Sequence, residues 1–237
     1  MLKIIIPFAL IILINVSFAQ ADEEQTIEAL QAKLQASYKN LTPTHFAETE
    51  IPGVYELMTS GRMMYFMPEH EILIVGELYD KFGLSLTAKR KKELQLAKLD
   101  SVDLSEALVI GEGSKTVIEF TDPDCPYCLK LHEDLTNRND VKRYIYFSIL
   151  DKIHPKATAK AVHIFCSTDQ QVALNEIITN QKNSSQLINC DHGRQMVARH
   201  KEISENFGVS GTPTVVLGDS VVTGYRSAVI AQFLETQ

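Results

Sequence analysis

The sequence predicts two unlike domains: a small α+β unit rich in strand and a larger α/β unit with helices inserted in its middle, joined by a linker helix. Three observations predict this. Short β runs broken by Gly, Ser and Pro turns crowd residues 50–78. A stretch rich in Lys and Leu follows at helical spacing from Thr87 to Leu99. Beyond Asp103 the order becomes strand, helix, strand, helices, hairpin, helix, the alternation of an α/β sandwich.

The first element is an export signal. Lys3 precedes an apolar run, Ile4 to Phe18, interrupted only by Pro7, Asn15 and Ser17; the small-residue exit Ala19-Gln20-Ala21 leads into Asp22-Glu23-Glu24. That order describes a cleavable signal peptide. A retained anchor is the competing reading, but the run is short of the ~20 apolar residues a spanning helix needs. Cleavage is expected after Ala21, with Ala19 as the alternative, leaving 216 residues. Loss of Lys3 moves the formal charge from −7 to −8, a mild acidity that argues against nucleic acid as a partner.

The expected divisions are a signal peptide at 1–21, a β-rich dimerisation domain at 22–80, a linker helix at 81–103 and a catalytic α/β domain at 104–237. Within the small domain, Ile27, Leu30, Leu34 and Ala36 sit at helical spacing between Thr26 and Lys39. The meander follows, with Met63, Met64 and Met67 as either an adaptable binding surface or plain core. A sheet this small rarely forms an adequate core alone, so its edge is a candidate to pair with a second copy. The run Lys89-Arg90-Lys91-Lys92 reads as a solvated helix face.

In the larger domain, strands are expected at Thr116–Phe120 and Lys142–Leu150. Helices are expected at Cys125–Asn137, Ala157–Cys166, Ala173–Lys182 and His192–Phe207. A strand runs from Thr214 to Leu217, a turn at Gly218-Asp219-Ser220 leads to Val221-Val222, and Ser227–Leu234 closes as a helix.

All four cysteines, Cys125, Cys128, Cys166 and Cys190, lie in the second half. An even number in an exported chain points to disulfides. The close pair reads as a redox couple and the distant pair as a staple. Zinc would need four convergent ligands, usually as two close pairs, and only one close pair exists; no metal is expected. Cys125 follows a β run and opens a helix, where free N–H groups and the helix dipole favour an anion. Pro126 suits the first helical position. Cys125 is therefore expected to be an exposed thiolate nucleophile and Cys128 the resolving thiol.

With these motifs in place, the chain resembles the periplasmic disulfide isomerases of the DsbC and DsbG family, whose catalytic domain is thioredoxin-like. The resemblance is carried by Phe120-Thr121-Asp122, Cys125-x-Tyr127-Cys128, Leu131-His132-Glu133 and Gly208-Val209-Ser210-Gly211-Thr212-Pro213, together with the signal, the β domain and the linker helix. It implies that Pro213 is a cis-proline facing the cysteine pair and that the Thr212 backbone pairs with an extended substrate. Tyr127 shapes the contact surface. The implied partners are misfolded disulfide-containing exported proteins, a second copy bound through the N-terminal domain, and a membrane thiol reductase of the DsbD type; no cofactor is implied. The Pro-Tyr dipeptide between the cysteines is similar to DsbG, whereas the Cys166 and Cys190 pair and the chain length are similar to DsbC, where that pair is a structural disulfide.

Glu119 departs from the family pattern. It lies six residues before Cys125 and shares a strand face with Val117. It is expected to lie under the site as a desolvated acid with a raised pKa that carries the proton of Cys128. His132 is expected at the surface. The leading activity is disulfide isomerisation in the periplasm. The alternatives are a reductase protecting single cysteines from sulfenic acid and a chaperone whose redox site is secondary.

Overall fold

The computed structural model describes residues 26–179 and 186–235; the expected signal peptide lies outside them. Helix α1 (Ile27–Ser37) starts where the Thr26 hydroxyl accepts the Ala29 N–H at 3.3 Å, capping one of the free amides of the first turn. Strands β1 (His45–Glu48), β2 (Tyr55–Thr59), β3 (Arg62–Met67) and β4 (Ile72–Ile74) form an antiparallel sheet in that order. β1 is absent from the sequence expectation. It is a four-residue edge strand, no more than half-buried, and its register is supplied by β2.

Helices cover both faces of this sheet. Leu34 of α1 packs on Leu57, Met64 and Phe66. Helix α2 (Leu86–Ala97) brings Leu94 against Val54, Met58, Met63 and Tyr65 on the other face. Met63 and Met64 are therefore core on opposite faces, as strand alternation requires. The basic run of α2 is not uniformly solvated. Arg90 Nε donates to the buried Glu56 carboxylate at 2.8 Å, and Lys91 donates to Ser210 of the second domain.

The second domain contains β5 (Leu108–Ile110), β6 (Lys115–Thr121), α3 (Pro126–Thr136), β7 (Val141–Phe147), α4 (Ala157–Cys166), α5 (Gln170–Ile178), α6 (Asp191–Phe207), β8 (Thr214–Leu217), β9 (Ser220–Thr223) and α7 (Ser227–Glu235). The sheet order is β5-β7-β6-β8-β9, with β6 and β7 parallel across α3 and the other pairs antiparallel. Val117 of β6 packs with Leu131 and Leu135 of α3 and Ile230 of α7, while Ile118 and Phe120 pack with Tyr146 and Phe207 on the opposite face. Three elements depart most from expectation. β5 is too short to announce itself. β7 stops at Phe147, where β6 ends at its partner Thr121; the last ladder bond runs from Ser148 N–H to Thr121 O at 2.8 Å. α5 begins early because Asp169 caps Val172 N–H at 2.9 Å.

Cys166 at the end of α4 is bonded to Cys190 at the cap of α6, twenty-four residues on. A Cβ at Gly193 would come within 2.6 Å of both Cys166 Sγ and the Val162 carbonyl, so glycine is what lets α6 begin against α4. Replacing both Cys166 and Cys190 by Ser should cost about 3 kcal/mol through restored freedom of the unfolded loop. Urea unfolding of the oxidised protein and the double variant measures it.

Candidate active site

β6 runs directly into the site. Its last residues and the loop after it are held by Asp122, whose fully buried carboxylate accepts Asp124 N–H at 2.8 Å, Leu150 N–H at 2.9 Å and His154 Nδ1 at 2.9 Å. Asp124 is tied in turn to Lys160 of α4. Cys125 then occupies the N-cap of α3, with Pro126 at the first helical position. Pro126 loses nothing there, since the amides of a first turn have no partner within the helix.

The two sulfurs face each other and the loop before β8. Cys125 Sγ, as a thiol, donates to the Thr212 carbonyl at 3.4 Å. The Thr212–Pro213 peptide bond is cis. Cys128 Sγ lies deeper and accepts the Asp122 N–H at 3.4 Å. The site is less open than expected: Cys125 is only 5% exposed and Cys128 3%, while Tyr127 between them is 57% exposed. The nucleophile is recessed at the rim of α3, because Thr212 and Pro213 close over it. Among the described residues the Thr212 N–H meets no backbone carbonyl, and the Thr212 hydroxyl is buried without a hydrogen-bond partner.

Residues 102–236 match the thioredoxin-like domain, and residues 17–88 match the disulfide bond isomerase protein N-terminal domain. The chain belongs to the disulfide isomerase family. It is 28% identical over 214 residues to the thiol:disulfide interchange protein DsbC of Escherichia coli K12, covering 88% of this chain and 85% of that one. Against the DsbC of Salmonella typhimurium it is 26% identical over 231 residues, covering 95% and 92%. A disulfide interchange protein from Neisseria gonorrhoeae is a structural neighbour at a TM-score of 0.50 and 28% identity, covering 57% of this chain and 98% of that one.

Within this isomerase fold the two thiols are driven apart. Cys125 is lowered to about 5, first by a hydrogen bond from the Cys128 thiol; burial opposes this, and the N–H groups of Cys128 and Tyr127 add to it. Cys128 is pushed well above the ordinary thiol range, first by burial and then by the neighbouring Cys125.

Glu119 is buried beside this pair, at 1% exposure, but it is not the lone acid expected. Arg143 Nη2 and Nε donate to its carboxylate at 2.7 and 3.2 Å. Both side chains, with Thr121 and Cys128, line a small void under the site. Arg143 Nη1 also donates to His132 Nδ1 at 3.1 Å, leaving His132 Nε2–H for Asn175 Oδ1 at 3.0 Å. His132 is thus buried rather than at the surface, and burial lowers it to about 4, helped by Arg143. Arg143 escaped the sequence reading. Its signal was present: it stands in phase with Val141, Ile145 and Phe147, all buried, so a cation on that face demanded a buried partner.

Replacing Cys128 by Ala should raise the apparent pKa of Cys125 from about 5, because the largest stabiliser of its thiolate is lost. Thiolate absorbance at 240 nm across pH measures the shift.

Proposed function

We propose that the mature chain is an exported thiol:disulfide isomerase of the periplasm that acts on wrongly paired disulfides of exported proteins through Cys125 and Cys128. The carrying observation is the placement of Cys125 at the N-cap of α3 against the cis Thr212–Pro213 bond, with Cys128 one turn on and more deeply buried; there the first thiol is lowered to about 5 and the second is pushed up. The Cys125 thiolate attacks one sulfur of a substrate disulfide, forming a Cys125–substrate bond and releasing the other substrate sulfur as a thiolate. That thiolate can attack a further disulfide of the same substrate and finally the mixed disulfide, which returns Cys125 as a thiolate with no net oxidation. Because Cys128 holds its proton, the mixed disulfide persists long enough for such rearrangement. When Cys128 does lose its proton and attacks Cys125, the substrate leaves as a dithiol and the enzyme is left oxidised. A membrane thiol reductase of the DsbD type is the proposed source of the two electrons that restore it.

Thr212 is assigned the substrate backbone, since its free N–H can pair with an extended chain, with Pro213 and the exposed Tyr127 as the apolar flanks of that contact. Glu119 enters as half of a buried ion pair beside Cys128, acting on its proton together with Arg143 rather than alone. Dimerisation is proposed through the N-terminal sheet. β4 is an edge strand, and Ile72 within it and Val75, Tyr79 and Phe82 in the chain that follows are 48%, 68%, 60% and 83% exposed, exposed apolar side chains of the kind that mark an interface.

Scrambled ribonuclease separates this reading from its rivals. The mature chain should restore ribonuclease activity and Cys125→Ser should abolish that restoration. Equal suppression of aggregation by a variant lacking both active-site cysteines, with no recovery of activity by either protein, would instead identify a holding chaperone. On a sizing column the mature chain should run as a dimer and Val75→Asp with Phe82→Asp as a monomer.

A further inference from the structure

The loop that carries Thr212 and Pro213 begins at the end of α6, and its first residues are touched one after another by the N-terminal half. Gly208 closes α6 in a left-handed conformation, φ +83°, and Val209 N–H bonds back to Ser204 O at 2.9 Å, a common way to finish a helix. The Gly208 carbonyl then points out of the domain. Gln95 Nε2 of α2, itself only 3% exposed, donates to it at 3.0 Å. Met58 Sδ of β2 lies where a Cβ on Gly208 would come within 3.1 Å.

The next two residues are held the same way. At Gly61, in the β2–β3 turn with φ +70°, an added Cβ would come within 2.4 Å of the Val209 carbonyl oxygen, so the turn lies backbone to backbone against the loop. Ser210 accepts from Lys91. About two turns further on, at the C-cap of α2, Lys98 Nζ donates to Asn206 O at 2.8 Å. Four residues separate Gly208 from Thr212, a span of at most ~14 Å, and Thr212 O is already in contact with Cys125 Sγ.

We propose that the N-terminal half braces the substrate-binding loop: Gln95, Lys91 and the Gly61 turn are positioning elements that hold residues 208–210 so that the Thr212 backbone is presented to an extended substrate. The linker helix is then part of the substrate site's support as well as a connection between domains. This rests on the assignment of Thr212 to the substrate backbone made above. It extends that assignment by naming what holds Gly208 O and Ser210 Oγ, which no residue of the catalytic domain reaches among the described contacts; that domain's own bonds act on either side, from Val209 N–H to Ser204 O, from Thr214 Oγ1 to Gly211 O and from Gly224 N–H to Pro213 O.

The brace predicts a split between substrates with and without a peptide backbone. Reduced protein is mixed in a stopped-flow instrument with an extended peptide carrying one mixed disulfide, and separately with hydroxyethyl disulfide. Gln95→Ala should raise the half-saturating peptide concentration by about fivefold, the scale of one lost buried hydrogen bond, with the maximal rate within twofold of wild type. The rate with hydroxyethyl disulfide should also stay within twofold. Lys91→Ala should shift the peptide value in the same direction by less, and it carries the test if Gln95→Ala does not fold, since Lys91 lies at the rim of the contact. Wild-type peptide saturation in the folded variants overturns the brace alone. A wild-type protein that reacts with neither disulfide overturns the functional reading, and the brace with it.

Discussion

The coupling of the Cys125 and Cys128 thiols at the start of α3 is the interaction on which the site depends. It lets one sulfur keep a negative charge while the other keeps a proton, and it exists because α3 begins at Cys125 and returns Cys128 to the same side one turn later. Burial sharpens the difference. Cys128 sits under the rim, against the Asp122 N–H and the void shared with Glu119 and Arg143, where ionisation is costly. Cys125 sits at the rim, where the free amides of the helix start offset the loss of water. Each other feature of the site either supports this pair or presents substrate to it.

The supports are distributed across the whole second sheet. Asp122 fixes the loop that delivers Cys125, with a donor from β7's exit and another from His154. The Glu119–Arg143 pair fills the floor, and His132 and Asn175 continue that polar line towards α5. A buried ion pair is weak evidence of stability on its own, because desolvation opposes it. Its four groups are each satisfied here, which is the condition for such a network to be tolerated. From the other side, the loop before β8 is held by residues up to about 150 positions earlier in the chain, from Met58 and Gly61 to Lys98.

Much of this was legible in the sequence wherever a local rule sufficed. Cys125-Pro126-x-Cys128 after a β run is readable because helix starts have fixed chemistry. The staple is readable because an exported chain with one distant pair of cysteines has few ways to use them. Glu119 was placed on the correct face by alternation, and the structure buries it there. What the sequence left hidden is non-local. Arg143 and Glu119 sit twenty-four residues apart, on neighbouring parallel strands whose register is set by the sheet as a whole. His132 reads as a surface residue until α5, an inserted helix, is seen to cover it. Exposure of Cys125 was overstated because the closing group, Thr212, arrives eighty-seven residues later. β1 and β5 are short edge strands with too few residues to show a period.

The reduction potential of the Cys125–Cys128 couple as a function of pH tests the central claim most directly, since it counts the protons that accompany the two electrons. With Cys125 ionised and Cys128 protonated, one proton is taken up, and the potential should fall by about 30 mV per pH unit between pH 6 and 8. Below about 5, where Cys125 takes its proton, the slope should steepen to about 59 mV per unit, the value for two protons and two electrons. A slope near the steeper value throughout pH 6 to 8 would mean that both thiols are protonated there, and the separation of the two sulfurs described here would be contradicted.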